Sequence, residues 1–153
     1  MAKKKKKKVK PIPRGYHSVS ASLNVESTMA LVEFCKKTFG AKLRSTMPGP
    51  DGKIIHAEIE IGDSVIMSSD AVREAARPAN LFVYVSNVDK VMAKAEKAGA
   101  KVMMPAADMF WGDRFGRVED PQGNRWAIAT HVEDVTPKEL KKRMKAMPPP
   151  PGE

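Results

Sequence analysis

The chain has 153 residues, of which 27 are basic and 18 acidic, for a formal net charge of +9 at neutral pH. That length suits one domain able to bury roughly two thirds of the surface its unfolded form exposes, so neither a metal nor a disulfide is needed to hold it together. The charge is not a property of the body: residues 1–14 hold eight basic and no acidic side chains, residues 132–153 hold five basic and four acidic, and 14 of each sign remain in between.

No run approaches the roughly 18 apolar residues of a transmembrane helix. The N-terminal lysines are followed by Val9, Lys10 and Pro11, where a signal peptide needs a long apolar stretch, so a cytoplasmic protein is expected. Within residues 1–14, Lys3, Lys4, Lys5, Lys6, Lys7 and Lys8 repel one another with nothing apolar to bury, which predicts a disordered basic arm. Such an arm can hold nucleic acid or an anionic surface nonspecifically by neutralising phosphates. No base-reading motif accompanies it, and a solubilising tail is the simpler reading.

From residue 15 onward the chain repeats itself with a period of about 60 residues. Residues 22–28 lead through a helical stretch to Phe39-Gly40-Ala41-Lys42-Leu43; residues 83–89 lead in the same way to Ala98-Gly99-Ala100-Lys101-Val102. Val25 corresponds to Val85 and Gly40 to Gly99, so the second helical stretch is shorter by one residue. Ser27 and Asn87 suit N-caps, and Gly40 and Gly99 suit the left-handed position beyond a helix end. Leu31, Phe34 and Cys35 form one apolar helix face; Val88, Val91, Met92 and Ala95 form the other. On that face Cys35, the single cysteine, is expected as a buried, reduced thiol, with no histidine nearby in sequence to activate it.

Each helix is followed by a predicted meander: strands at 43–46, 53–61 and 64–69, then at 101–104, 114–119 and 125–130. Pro48-Gly49-Pro50-Asp51-Gly52, Gly62-Asp63 and Asp120-Pro121-Gln122-Gly123-Asn124 supply the turns. The expected fold is α+β: two βαβββ modules, residues 15–70 and 79–131, joined by a polar connector and forming a curved, partly open mixed-sheet cup with helices outside. After the domain, residues 132–153 form a tail. There Thr136-Pro137-Lys138-Glu139 reads as a capping box that starts a short helix to about residue 146, able to dock on the domain or on a partner subunit. The prolines from 148 onward stop it.

Strand alternation assigns faces. Ile55, Ala57, Ile59 and Ile61 should meet the helix, leaving His56, Glu58 and Glu60 inside the cup. Ser18, Ser20, Ser22 and Asn24 should face in, with Val19, Ala21, Leu23 and Val25 outward. His17 has the parity of a packing or capping residue. In the second module Asn80, Phe82, Tyr84, Phe115, Arg117, Glu119, Arg125, Ala127, Ala129 and His131 should face in. A polar and aromatic inner surface with charges of both signs suits a small polar or amphipathic ligand, although one face of an open sheet can also simply be wet. The candidate ligand-binding residues are Ser20, Ser22, Asn24, His56, Glu58, Met67, Asn80, Phe82, Tyr84, Trp111, Arg117, Arg125 and His131. The loop Phe110-Trp111-Gly112-Asp113-Arg114 has two readings, a cover that closes over a ligand or a plug in which Trp111 fills the cup or a dimer seam.

The paired modules, the Phe39-Gly40-Ala41 helix end and the Asp120-Pro121-Gln122-Gly123-Asn124 turn resemble the vicinal oxygen chelate superfamily of glyoxalase I, extradiol dioxygenases and bleomycin-resistance proteins. Gly15-Tyr16-His17, His56-Ala57-Glu58, Ile61-Gly62-Asp63-Ser64 and Trp126-Ala127-Ile128-Ala129-Thr130-His131 resemble its PhnB-like subgroup. The resemblance implies a metal held at Ser20, Met67, Asn80 and Ala127. None of these is His, Glu or Asp, so no metal or other cofactor is expected, and neither is a metal-dependent glyoxalase or dioxygenase activity. His56, Glu58 and His131 form an alternative metal set only by sharing the inner face; hydrogen bonding to a ligand or a neighbouring carboxylate is the favoured role for both histidines.

The leading expectation is a metal-independent small-molecule-binding protein, homodimeric, of the sequestering or resistance type, with an unidentified organic ligand. The alternatives are an acid-base lyase or isomerase using His56, Glu58 and Glu119, and a polyanion-binding protein working through the lysine arm. The two modules either close one cup within a chain or exchange across a dimer.

Overall fold

The computed structural model describes residues 9–148, so the expectations placed on Lys3 to Lys8 lie outside the described residues. The predicted repeat is present. The first module runs β1 (Ser22–Val25), α1 (Thr28–Phe39), β2 (Lys42–Pro48), β3 (Ile54–Ile61) and β4 (Ser64–Asp70). The second runs β5 (Asn80–Tyr84), α2 (Val88–Lys97), β6 (Lys101–Asp108), β7 (Asp113–Glu119) and β8 (Arg125–His131), and α3 (Pro137–Lys145) follows. Each module is a four-stranded mixed sheet, in the orders β1-β4-β3-β2 and β5-β8-β7-β6, with its first and last strands parallel and its meander antiparallel. This is the α+β plan of two βαβββ units, and neither sheet closes into a barrel.

Local chemistry sets the helix limits as expected. The Ser27 side chain accepts from the Ala30 N–H at 3.2 Å and the Asn87 side chain from the Lys90 N–H at 3.0 Å, each satisfying a donor the helix leaves open. Gly40 and Gly99 adopt φ of 66° and 100°, where a Cβ is disfavoured. A second device also repeats. The first helical N–H of α1, on Thr28, donates to Oδ1 of Asp70 at 2.7 Å, and that of α2, on Val88, donates to Oγ1 of Thr130 at 2.9 Å. Asp70 and Thr130 lie at the C-terminal ends of β4 and β8, within one residue of the last, the strands parallel to β1 and β5, so each sheet holds the start of its own helix.

The apolar faces meet where the modules join. Leu31, Val32, Phe34 and Cys35 of α1 are buried with Val88, Met92 and Ala95 of α2, over Ile59, Val118 and Ile128 of the sheets. Trp126 bridges the halves: it is fully buried, and its ring lies 5.0 Å from Phe39 and 6.2 Å from Phe34. Burying a tryptophan removes an area worth at most roughly 5 kcal/mol, so this one side chain is a large part of the seam. Gln122 completes it, accepting from the Ser27 N–H at 2.8 Å and donating to the Ser27 carbonyl at 3.0 Å. The Asp-Pro-Gln-Gly-Asn turn is therefore a clamp between modules as well as a hairpin.

Four expectations need correction. The first strand begins at Ser22, so Ser18 and Ser20 precede it and Val19 is exposed instead of packed. β1 is an edge strand, and before Ala21 the chain has no neighbour to hold it extended. Ile55 is exposed although its parity matches Ala57, because the β2/β3 register shifts between Met47 and Pro48 and turns the strand's start away from α1. β6 continues beyond Met104 to Asp108. Pro105 is tolerated because β6 is an edge strand with a register shift between Met104 and Ala107, so no ladder bond from its nitrogen is missed. His17 is exposed and neither packs nor caps.

Candidate functional site

The sheet faces opposite the helices carry the chemistry. In the second module the register aligns Tyr84 with Ala129 and Phe115, and Phe82 with Ala127 and Arg117, across β5, β8 and β7. Phe115 is buried beneath a rim of aromatics: Phe82 lies 5.7 Å from it, Trp111 5.6 Å from it edge-on, and Tyr84 5.0 Å from Phe82. Phe82 and Tyr84 nevertheless remain 52% and 62% exposed. Exposed neighbouring aromatics on a sheet face are far from the usual composition of a solvated surface.

Asp113 organises the upper end of this face. It is 2% exposed, accepts from Tyr84 Oη at 2.9 Å and Trp111 Nε1 at 3.0 Å, and lies 2.8 Å from His131 Nδ1. The other ring nitrogen of His131 is 2.8 Å from Asp134. Hydrogen bonds to Asp134 and then Asp113 push the His131 pKa up. Burial opposes ionisation of Asp113, but the hydrogen bonds from His131, Tyr84 and Trp111 outweigh it and hold the carboxyl below its ordinary range. Asp113 belongs to the Phe110–Arg114 loop motif, yet its parity with Phe115 and Arg117 was the signal that places it on this face. Arg125 and Glu119, partners across β8 and β7, neutralise each other at 3.6 Å, so Glu119 is engaged in a structural pair. Asn80 is exposed at the lower end of the same face.

The loop before Asp113 is pinned. Gly112 has φ of 102°, its carbonyl accepts from the N–H groups of Val132 and Glu133 at 2.9 and 3.0 Å, and a Cβ there would collide with the Glu133 carbonyl. Its glycine is needed for close approach, not as a hinge, which favours the plug reading of Trp111. Arg143 of α3 locks the same region, bonding Glu133 through both terminal nitrogens at 2.7 and 2.9 Å and the Phe110 carbonyl at 3.1 Å. Thus α3 docks on its own domain.

In the first module Met67 lies in register between Ser22 and Glu58 on the inner face. His56 Nε2 is 3.5 Å from Glu58 Oε1. Tyr16, a residue that sequence reasoning did not count among the candidates, sets its ring 5.3 Å from the Arg44 guanidinium. Its hydroxyl is buried without a partner in hydrogen-bond geometry. Burial and the nearby Glu58 raise the Tyr16 pKa; the Tyr16 hydroxyl, then His56 and Arg44, hold Glu58 below the usual carboxylate range. Ser20 is half-buried ahead of β1, and Ser22 is exposed. The Asn24 amide donates to the carbonyls of Glu74 and Ala75 at 3.1 and 3.0 Å, strapping the connector over a cleft of about 810 Å³ that Ile55, Val72 and Arg73 also line.

The predicted site residues therefore form two groups. Ser20, Ser22, Asn24, His56, Glu58 and Met67 belong to the first sheet; Asn80, Phe82, Tyr84, Trp111, Arg117, Arg125 and His131 belong to the second. Among the described residues no strand of one sheet approaches a strand of the other, and the modules meet through α1 and α2. The alternative metal set is divided in the same way: His56 and Glu58 are on one sheet, and His131 is on the other between two carboxylates. Ser20, Met67, Asn80 and Ala127 supply a hydroxyl, a thioether, an amide and a methyl, a donor set that does not fit a divalent first-row cation. Among the described residues no group of three or more His, Cys, Asp or Glu side chains is placed to hold a metal. No helix among them is long and apolar enough to cross a membrane. Cys35 is buried and its thiol is pushed up to about 12 by burial and then by Asp120.

Residues 17–128 match the model of the Glyoxalase/Bleomycin resistance protein/Dioxygenase superfamily, and the chain belongs to that family. It is 32% identical over 139 residues to the uncharacterized protein Mb0911c of Mycobacterium bovis, an alignment covering 83% of this chain and 91% of that protein. Two solved structures share its fold. TioX from Micromonospora sp. ML1 superposes with a TM-score of 0.65 at 24% identity, covering 76% of this chain and 99% of TioX. The PhnB protein from Bacillus cereus does so with a TM-score of 0.62 at 18% identity, covering 74% of this chain and 99% of its own.

Proposed function

We propose that this protein binds a small organic ligand without a metal, acting in the cytoplasm as a homodimer of the sequestering or resistance type. In that dimer the first-module face of one chain covers the second-module face of its partner, and the ligand lies between them. The observation that carries this reading is the uncovered aromatic face: Phe82 and Tyr84 stay 52% and 62% exposed on a sheet whose other side packs against the core. Leaving such area in water is costly, and a ligand or a second chain would remove it.

Sedimentation velocity of the full chain tests the assembly. A dimer that Phe82→Glu converts to monomer, with its fold retained by circular dichroism, is expected. A thermal-shift screen of small organic molecules, run with EDTA present, tests the ligand: stabilisation unaffected by the chelator is expected. A monomer that no compound stabilises, or stabilisation abolished by EDTA, would sink the reading.

A second reading, an acid-base lyase or isomerase, is favoured by one observation, the Tyr16 hydroxyl buried beside Glu58 and His56. Proton exchange into a bound carbonyl compound in D₂O that Glu58→Gln removes would establish it.

A further inference from the structure

The second-module face has a shape and a charge that narrow the ligand class. Phe82, Ala127 and Arg117 stand side by side on three adjacent strands in direct register. Neighbouring strands are about 4.8 Å apart, so the two large side chains rise from positions separated by about 10 Å, with Ala127 between them on the middle strand and the Phe115 ring, 5.7 Å from Phe82 and 5.3 Å from the Arg117 guanidinium, closing one end. The register thus makes a trough over half-buried Ala127, bounded by Phe82, Phe115 and Arg117.

Its two walls differ. One is aromatic and continuous, because Phe82 is braced by Tyr84 at 5.0 Å and Phe115 at 5.7 Å. The other is cationic: the Arg117 guanidinium lies 5.3 Å from the Phe115 ring centroid. Unlike Arg44, Arg114, Arg125 and Arg143, it forms no ion pair with a carboxylate among the described residues. A guanidinium stays charged at any physiological pH and offers a planar fork of donors that matches a carboxylate. Stacked against one ring and free toward the trough, it is a preset anion site beside an aromatic slot.

We propose that this trough takes a planar aromatic carboxylate, its ring lying over Ala127 against Phe82 and its carboxylate on the Arg117 fork. This rests on the small-molecule reading above and names the class of ligand. The position that the family resemblance marks for a metal ligand, Ala127, becomes the floor of an organic site: a residue too small to coordinate anything is the one that leaves room for a ring.

The test uses calorimetric titration of the full-length protein with three probes: 2-naphthoate, the neutral 2-naphthalenemethanol, and cyclohexanecarboxylate, which has the charge without the aromatic ring. 2-Naphthoate should bind the wild type at least about tenfold more tightly than either comparison compound. Arg117→Gln should erase the advantage over the alcohol, Arg117→Lys should restore part of it, and Ala127→Leu should abolish binding of both naphthalenes. Arg117 is exposed, so its variants keep the proposal testable even if Ala127→Leu fails to fold. Equal binding of naphthoate and the alcohol, both lost in Ala127→Leu, overturns the anionic class while leaving a small-molecule trough. Naphthoate binding that is absent, or unchanged in Arg117→Gln, overturns the proposal outright; the sedimentation and chelator experiments then judge the broader reading separately.

Discussion

Tyr84 of β5 donates its hydroxyl hydrogen bond to Oδ2 of Asp113 on β7, at 2.9 Å, across the intervening strand β8. The same oxygen accepts from Trp111, and the other carboxylate oxygen meets His131. One buried carboxylate thus ties together a strand, a loop and the end of the domain. Asp113→Ala leaves three polar groups without their partner and should lower the unfolding free energy by about 2–4 kcal/mol in urea titrations, whereas Tyr84→Phe should cost only about 1 kcal/mol.

The same network predicts a pH dependence of definite sign. His131 has a raised folded pKa, so its contribution is fully present below the unfolded value near 6.5 and is lost as pH rises through the folded value. Asp113 has a lowered folded pKa, so its contribution is present above roughly pH 4 and is lost as pH falls through the folded value. The network should therefore stabilise most between about pH 4 and 6.5. Urea midpoints of the wild type and His131→Gln should differ most at pH 5 to 6, and the difference should shrink as pH rises above 6.5. An equal difference across that range would show that the imidazolium between Asp113 and Asp134 contributes nothing.

Glycine substitutions should separate close approach from backbone preference. Gly112 and Gly62 both have positive φ, 102° and 58°, but a Cβ on Gly112 would strike the Glu133 carbonyl while one on Gly62 would meet open space. Gly62→Ala should cost about 1 kcal/mol and Gly112→Ala about 3 kcal/mol or more, read from thermal or urea unfolding.

Cys35 should behave as a packing residue. With its pKa pushed up to about 12, the thiolate fraction at pH 8 is on the order of 10⁻⁴. Ellman's reagent should react at a rate set by unfolding, giving one equivalent promptly only in denaturant. Prompt reaction in native buffer would contradict the burial.

Releasing α3 should leave the body intact. Arg143→Ala removes the bonds to Glu133 and Phe110 that dock the helix. Limited trypsinolysis should then cut at Lys138, Lys141 or Lys142 several-fold faster than in the wild type, while the urea midpoint of the domain hardly moves.

The repeat, both helices with their caps, the meanders and the alternation of strand faces were legible in the sequence because each depends on neighbours within a few residues: a cap side chain three positions from its donor, or an apolar side chain at every second or fourth place. Ser27, Asn87, Gly40 and Gly99 act where they were expected to act for that reason. The Tyr16 approach to Glu58, the Gln122 clamp on Ser27, the Asp113 network and the pinning of Gly112 were beyond such reasoning, since each joins groups that are far apart along the chain or depends on how the ends of strands meet. Edge behaviour was hidden too: whether Val19 is covered or Pro105 tolerated depends on which strand lies outermost. Sequence by itself determined the two modules and the alternation of faces within their paired strands, because periodicity is a local property. Tertiary structure decided that these faces point to separate surfaces of one chain, because α1, α2 and Trp126 bury the modules against each other on the helical side and leave both sheet faces in water.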